Sequence, residues 1–238
     1  MYGLSVLEII LFVSLFSAER AMPARQFPIP KMWFRHWCGL MLFAVVWLSG
    51  LLAIWPYISS VWQPLHDWPF WGQILTAYLT FSFVAYWYHR FRHSNRFLWR
   101  FVHYMHHAPA HMDTRVTFWR HPIEMVIDSL VILAVGKFLG VSVEVIVCVL
   151  LIESMLEVFH HSYIHTPKRL RWIGYFMQLP EQHLIHHERG LHRWNYATVT
   201  LWDTLFGTVK VPKEWKGQVG LPEWDSTRKL LLFKYNGR

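Results

Sequence analysis

The sequence predicts an all-α protein: an integral-membrane helical bundle that is capped on its cytoplasmic side by histidine-rich segments. Three observations lead to this prediction. Hydrophobic residues make up 54% of the 238 residues and charged residues only 16%, which is far more apolar than an ordinary soluble domain. The apolar residues are concentrated in four long runs. Segments rich in arginine and histidine lie between these runs, as is typical of a membrane protein with polar loops.

The apolar runs predict five membrane segments in a single domain that covers 1–238. The first run lacks the basic start and cleavage site of a secretory signal, which favours a retained helix, with a signal anchor as the alternative. The last run, 123–159, would measure roughly 55 Å as one helix, nearly twice the roughly 30 Å hydrocarbon core. Gly136 and Gly140 offer a break, so we expect a hairpin of two helices. The five predicted segments are about 4–18, 38–58, 70–88, 123–136 and 141–159. The first and the fourth are short enough to be re-entrant or interfacial.

The basic residues orient this bundle, because cytoplasmic loops of membrane proteins carry an excess of lysine and arginine. Segments 19–37, 89–122 and 160–238 fall on one side of the five-segment arrangement and hold 22 of the 23 lysines and arginines, Arg25, Lys31 and Arg238 among them. Lys137 falls on the other side. We therefore expect the N-terminus outside and the C-terminus inside a bacterial inner membrane or the endoplasmic reticulum. The cytoplasmic part then consists of two histidine-rich segments and a tail: 89–122, 160–210 and 211–238.

Most of the sixteen histidines occur in groups with helical spacing. Residues three and four apart share one face of a helix, so each group can direct two or three imidazoles at one point. An isolated HxxxH pair is more often structural than metal-binding, but two HxxHH groups, each preceded by an HxxxH pair, predict a metal site. The predicted ligands are His89, His93, His103, His106, His107, His161, His165, His183, His186 and His187. The solitary histidines His36, His66 and His192, and His111 beside the first group, are not expected to be ligands.

The number of clustered histidines indicates more than one ion. A structural zinc site is complete with four ligands, and a catalytic zinc needs three and a water. Ten histidines exceed both requirements and suit two ions, for which imidazole accommodates iron, copper or zinc. The Glu-x-x-His pattern of ferritin-like carboxylate sites is not the pattern seen here.

The order His89-x3-His93, His103-x2-His106-His107, His161-x3-His165, His183-x2-His186-His187 resembles the fatty acid hydroxylase and sterol desaturase superfamily of membrane-bound, histidine-rich di-iron oxygenases. The sequences Trp194-Asn195-Tyr196-Ala197 and Leu201-Trp202-Asp203-Thr204-Leu205-Phe206-Gly207-Thr208 resemble the ending of that family. The segment Arg120-His121-Pro122-Ile123-Glu124 resembles its sequence before the hairpin. The resemblance covers roughly 70–210.

This resemblance implies an enzyme, an oxygen-dependent lipid hydroxylase that uses two iron ions and O2 to oxidise an unactivated C–H bond of a fatty acyl chain, a sterol or a related lipid. A desaturase with the same site is the alternative, and zinc can replace iron in purified protein. The sequence contains no haem, flavin, ferredoxin-like or nicotinamide motif. A separate electron-transfer protein, a b-type cytochrome or a ferredoxin with its reductase, is therefore expected as a partner beside the membrane lipid.

No catalytic side chain beyond the metal ligands is predicted, but several residues are candidates to hold a ligand histidine through a hydrogen bond. Glu157 precedes His161 by four residues on the same helix face. The alternative is that Glu157 only extends its carboxylate from the end of the helix into water. Asp203 is equally suited to cap a turn before Gly207. The full set of candidates is His121, Glu157, His160, Asn195 and Asp203.

Two non-enzyme functions and a nucleic-acid partner agree less well with the sequence. A metal-ion transporter needs polar residues near the membrane midplane. The middles of three predicted spans, Phe43–Trp55, Ile74–Trp87 and Val145–Ile152, contain no charged residue and no histidine. A membrane scaffold with structural zinc needs a single closed four-ligand site, which leaves most of the groups unexplained. The net charge of +8 is compatible with nucleic acid, but the basic residues adjoin apolar runs, so anionic lipid headgroups are the expected counter-charge.

Overall fold

The computed structural model describes residues 2–21, 33–191 and 193–235. Arg25, Lys31, His192 and Arg238, which entered the predictions above, lie outside the described residues. The α-helices of seven or more residues are α1 (Tyr2–Ala21), α2 (Trp33–Ile54), α3 (Phe70–Ser94), α4 (Pro122–Leu139), α5 (Val143–His161) and α6 (Pro180–His186). The described part contains no β-strand, only one isolated antiparallel bridge between Glu188 and Val219, so the predicted all-α class is confirmed.

Shorter helical turns connect these helices and carry much of the site. They are Trp55–Tyr57, Arg96–Leu98, Trp99–His103, Tyr104–His107, Thr114–Phe118, Lys168–Tyr175, Leu201–Leu205 and Thr227–Leu231. The helices α1 to α5 coincide with the five predicted segments to within about six residues. The largest difference is at α3, which continues past residue 88 to Ser94 and so carries His89 and His93 on its last turns.

The hairpin of α4 and α5 turns at Gly140. This residue has φ +70°, a left-handed conformation that glycine adopts without a steric penalty, and its N–H bonds to the carbonyl of Gly136. A Cβ at Gly136 would lie 2.3 Å from Cδ1 of Ile146, so the two helices approach closely only because this position has no side chain. The two glycines therefore serve different purposes, one in the turn and one in the packing.

The bundle packs around α3, which contacts both α4 and α5, while α2 lies against α4 and α1 against α5. Its apolar core contains Ile74, Ala77 and Tyr78 of α3 with residues of the hairpin. A second apolar cluster lies under the histidine-rich segments and includes Trp33, Met105, Trp119, Leu184 and Leu230. The histidine-rich segments thus pack on an apolar cluster that is separate from the core of the bundle.

Large apolar side chains cover much of the outer surface of the bundle. On α2, Leu42, Val45 and Val46 are each more than half exposed, and α1 exposes Val6, Ile9 and Ile10 in the same way. By length and apolarity Trp33–Tyr57 is able to cross a membrane, and it is the only helix in the described ranges to meet both criteria. The membrane placement of all five segments and the cytoplasmic side stay predictions.

The end of α1 is attached to the two histidine-rich segments through one buried carboxylate. Glu19 accepts hydrogen bonds from the backbone N–H and the hydroxyl of Thr114, and from the backbone N–H of Tyr163. These two segments are far apart in sequence. Glu19 therefore fixes their relative position from outside the site.

Candidate metal centre

Nine histidines form two neighbouring groups in the described part of the chain, and within each group the ring nitrogens lie within 4.8 Å of one another. The first group contains five histidines, His89, His93, His103, His107 and His186. The second contains four, His106, His161, His183 and His187. The structure thus brings together nine of the ten predicted ligands.

Each HxxHH sequence divides its histidines between the two groups. His103 and His107 are four residues apart and point into the first group, whereas His106 points into the second. The other HxxHH sequence does the reverse, since His183 and His187 point into the second group and His186 into the first. The rings of His107 and His187 are stacked, with centroids 4.0 Å apart and an interplanar angle of 16°. The two groups are therefore adjacent.

An irregular turn of backbone directs His103 towards the end of α3. Trp99–His103 is a single π-helical turn, in which the N–H of Tyr104 bonds to the carbonyl of Trp99. Such turns insert one residue into a helix and occur mostly at functional sites. Here Nε2 of His103 lies 2.9 Å from Nε2 of His89.

The Nε2 atoms within each group point at one another. In the first group, Nε2 of His103 lies 3.1 Å from Nε2 of His107, and Nε2 of His93 lies 3.2 Å from Nε2 of His89. In the second group, Nε2 of His161 is 2.9 Å from Nε2 of His183 and 3.3 Å from Nε2 of His106. When the protons are on Nδ1, each group gathers lone pairs around one point, an arrangement that suits a cation.

Backbone and side-chain oxygens accept hydrogen bonds from the opposite ring nitrogen, which places the proton on Nδ1. Four acceptors are carbonyls: Tyr196 for His89 at 2.6 Å, Trp194 for His186 at 2.9 Å, Glu157 for His161 at 2.8 Å and Trp119 for His106 at 3.3 Å. Two are side chains, Glu124 for His103 at 2.7 Å and Gln178 for His183 at 2.9 Å. Burial also lowers the pKa of His89, His103, His106, His107, His161 and His183 well below its ordinary value, so these rings are held in the neutral, ligating form.

Three successive carbonyls of one loop, Trp194 to Tyr196, support this arrangement. Asn195 has φ +57°, which asparagine tolerates better than most residues, and its side chain bonds to the backbone of Gln182 and Lys210. The carbonyl of Asn195 accepts a hydrogen bond from the amide of Gln178, the residue that holds His183. Asn195 thus contacts His183 only indirectly, through Gln178, and its predicted role in orienting a ligand stays a prediction.

Asp203 stabilises the same loop. Its carboxylate accepts hydrogen bonds from the backbone N–H groups of Tyr196 and Ala197 at 2.9 and 2.8 Å, and from the hydroxyl of Thr208 at 2.6 Å. Burial raises the pKa of this carboxyl to about 6. These hydrogen bonds hold the loop whose Tyr196 carbonyl contacts His89, so Asp203 lies one step removed from that histidine, and its role in orienting a ligand stays a prediction.

Four of the other predicted residues have different surroundings from those expected. The side chain of His165 is 63% exposed and pairs with Glu181 at 3.2 Å, outside both groups. His160 is buried instead, with its ring centroid 4.1 Å from that of His183. His121 caps the start of α4, where its Nδ1 accepts the N–H of Ile123. Glu157 contacts His161 through its carbonyl, while its carboxylate pairs with Arg120 at 2.5 Å.

Sequence reasoning missed a network of ion pairs beside the first group. Glu124 bonds to His103 and to Arg92, and Arg92 in turn pairs with Asp128 at 3.1 Å. Arg120 pairs with Asp128 at 3.1 Å and links it to Glu157. The available signal was the presence of carboxylates inside or at the ends of apolar runs, where charged residues are uncommon and usually paired. Gln178 carried no such signal.

A cavity of about 270 Å³ extends from the histidines into the bundle between α2, α3, α4 and α5. Its histidine end includes His89, His103, His106 and His161, and its far end is apolar. The apolar lining includes Ala44, Trp47, Leu48, Phe81, Val131, Ile132 and Leu150. A cavity with this lining is suited to a long hydrocarbon chain that reaches the histidines from the side of the bundle.

The buried histidines are expected to give metal-stripped protein a distinct pH dependence. Burial lowers the pKa of His103, His106 and His183 in the folded chain, so the unfolded chain binds more protons below about pH 6.5. Their contribution to the free energy of unfolding is therefore fully present above that pH. It decreases as the pH falls below it, by up to about 1.4 kcal/mol per pH unit for each histidine. Denaturant unfolding of chelator-treated protein at about pH 7.5 and about pH 5.5 measures this loss. The exposed His66 is the control, since His66→Ala should leave the pH dependence unchanged, and a midpoint that does not fall at the lower pH contradicts the expectation.

Comparison with known proteins agrees with this geometry. The chain is 22% identical to alkylglycerol monooxygenase of Homo sapiens over 182 residues, which cover 73% of this chain and 38% of that protein. It is 25% identical to a very-long-chain aldehyde decarbonylase of Oryza sativa subsp. indica over 139 residues, which cover 57% of this chain and 54% of that protein. The chain thus spans about half of these curated relatives or less. No solved structure matches it. The family model described as fatty acid hydroxylase matches residues 74–208, a range that includes both histidine groups, and the chain therefore belongs to the fatty acid hydroxylase family.

Proposed function

We propose that this protein is an oxygen-dependent lipid hydroxylase whose two histidine groups bind two iron ions. The observation that carries the proposal is the convergence of ring nitrogens at two neighbouring points. Six of the nine imidazoles are held through Nδ1 by oxygen acceptors. Family membership and relatives named as a monooxygenase and an aldehyde decarbonylase support a lipid substrate.

The donor set fits two ions of intermediate softness. Imidazole nitrogen accommodates ferrous iron and zinc. The two groups together contain nine histidines, more than the four ligands that one structural zinc requires. His160 is proposed to complete the second group in place of His165, because its ring is buried against His183 and its Nδ1 has no hydrogen-bond partner among the described residues. Bound iron would supply, with O2 and two electrons, the oxidising power to break an unactivated C–H bond.

The chain's own residues position the ligands and the substrate. Glu124, Gln178 and the carbonyls of Trp194 and Tyr196 hold the imidazoles at fixed orientations, so the site needs little rearrangement when metal binds. The apolar part of the cavity binds the hydrocarbon chain and excludes water from the reacting carbon. In the proposed membrane orientation this cavity opens to the hydrocarbon and the histidine groups lie at its cytoplasmic side. An electron-transfer protein, a b-type cytochrome or a ferredoxin with its reductase, would then deliver electrons from the cytoplasm.

Metal analysis tests the number of ions. Protein purified from iron-replete cells is expected to hold two metal ions per chain, because the two groups are distinct and each contains at least four imidazoles. Two zinc ions are compatible with the proposal, since zinc binds such sites more strongly than ferrous iron. A single tightly held zinc would contradict it and favour a structural zinc site in a scaffold.

Lipid mass spectrometry of cells with and without the protein tests the reaction. Gain of one oxygen atom in a membrane lipid is the result expected of a hydroxylase. Loss of two hydrogen atoms would instead assign a desaturase to the same site. If no lipid changes and metal ions cross the membrane, the proposal is wrong and the protein is a transporter.

A further inference from the structure

The cavity has a polar part close to the histidines that neither the metal ligands nor the hydrocarbon lining explains. Three polar atoms there have no hydrogen-bond partner in the described ranges: the hydroxyl of Tyr88, Nε of Arg92 and Oε2 of Glu124. The side chains of Arg92 and Glu124 are 8% and 1% exposed. Leaving a buried donor or acceptor without a partner destabilises a protein by roughly 1–3 kcal/mol, so such groups call for an explanation.

These three side chains are adjacent. The guanidinium of Arg92 lies 4.4 Å from the centre of the Tyr88 ring, and its Nη1 bonds to Oε1 of Glu124 at 2.8 Å. Oε1 of Glu124 also accepts from His103, so this carboxylate is already held in place while its second oxygen is left over. The unsatisfied atoms comprise two donors and one acceptor. A hydroxyl group, which both accepts and donates, is the simplest group that matches them.

The charges around the cavity decide against an acidic ligand. Its lining contains two arginines and four carboxylates: Arg92, Arg120, Glu124, Asp128, Glu153 and Glu157. Both arginines are already engaged by these carboxylates. Among these six side chains the carboxylates outnumber the cations, and neither arginine is left without a carboxylate partner. A fatty acid carboxylate or a phosphate headgroup placed beside Glu124 would therefore lie close to other carboxylates, which is unfavourable in a buried site.

We propose that this polar part of the cavity binds the hydroxyl group of a long-chain lipid alcohol, which donates to Glu124 and accepts from Tyr88 or Arg92. The hydrocarbon chain of the alcohol lies along Trp47, Leu48 and Phe81. The assignment rests on the proposed function and narrows its substrate class. Because Glu124 is separated from the first histidine group only by the ring of His103, oxidation falls on one of the first few carbons from the hydroxyl and not at the far end of the chain.

Binding measurements on the full chain in lipid nanodiscs test the hydroxyl subsite. Labelled 1-hexadecanol is the probe, with hexadecanoate, hexadecylamine and hexadecane as competitors of the same length. We expect the alcohol to bind more tightly than the other three. Tyr88→Phe should weaken alcohol binding roughly two- to tenfold, the usual effect of one hydrogen bond, and leave hexadecane unaffected. Tyr57→Phe is the matched control, since Tyr57 is 86% exposed and does not line the cavity.

A second variant tests the direction in which the lipid lies. Leu48→Trp fills the apolar end of the cavity and should weaken binding of 1-hexadecanol far more than binding of 1-octanol. Equal effects on both alcohols would overturn the orientation. Tighter binding of hexadecanoate or hexadecylamine, or unchanged alcohol binding in Tyr88→Phe, would overturn the hydroxyl subsite. Metal is counted in the same preparations, so two metals without alcohol preference refute this inference alone, and fewer than two refute the proposed function.

Discussion

Replacement of His107 or His186 by alanine is expected to abolish lipid oxidation. Both residues belong to the first group, and His107 also stacks on His187 of the second. Loss of either removes a proposed ligand. We therefore expect product formation to fall by at least about a hundredfold, the upper end of the effect of disturbing groups around a metal. Product per inserted protein is measured by lipid mass spectrometry, with metal content determined in parallel.

The control for this pair is His66→Ala. The side chain of His66 is 67% exposed and pairs with the neighbouring exposed Asp67, so its replacement should leave activity nearly unchanged. All three variants should be inserted in the membrane to the same level, because the helices α2 to α5 are packed through an apolar core that contains none of these histidines. Similar activity losses at all three positions would show that the two groups have no special role.

Arg92→Met is expected to cause the largest loss of stability. Arg92 pairs with Glu124 and Asp128, and all but 8% of its side chain is buried. Removing one partner of a buried pair leaves a carboxylate without compensation, which destabilises proteins by about 3–5 kcal/mol. Because Glu124 also holds His103, metal content should fall with stability. Thermal unfolding and metal analysis of the purified variant measure both effects.

The matched control is Arg96→Met, which removes the same charge four residues further along the chain. Arg96 is exposed, and exposed ion pairs contribute at most about 1 kcal/mol. Its unfolding temperature should therefore stay close to that of the parent protein. If the two variants unfold at the same temperature, the buried network does not contribute to stability as the structure suggests.

The sequence alone determined the class of fold and most members of the site. Helix positions follow from runs of apolar residues, and the break in the last run follows from Gly136 and Gly140, since both are local properties of the chain. Helical spacing also made the HxxHH groups recognisable, because residues three and four apart share a face. Nine of the ten histidines named on this basis lie together in the structure.

Tertiary structure decided how these histidines are divided. His106 and His107 are neighbours in sequence but belong to different groups, since the groups are completed by α3, α5 and α6 from distant parts of the chain. His160 and His165 are both compatible with the spacing. The chain leaves its helix at Ser162, so His160 stays buried on α5 while His165 falls in the following loop, where it is exposed.

The groups that hold the ligands were the least predictable. Glu124 meets His103 across 21 positions of the chain, and the carbonyl of Tyr196 meets His89 across 107. A backbone carbonyl is present at every residue, so sequence cannot show which one will face an imidazole. Asn195 and Asp203 were recognisable as important, but only the folded loop shows that they work by placing those carbonyls. Local spacing thus identified the histidines that lie together, and long-range packing determined which nitrogen of each ring faces the centre of its group.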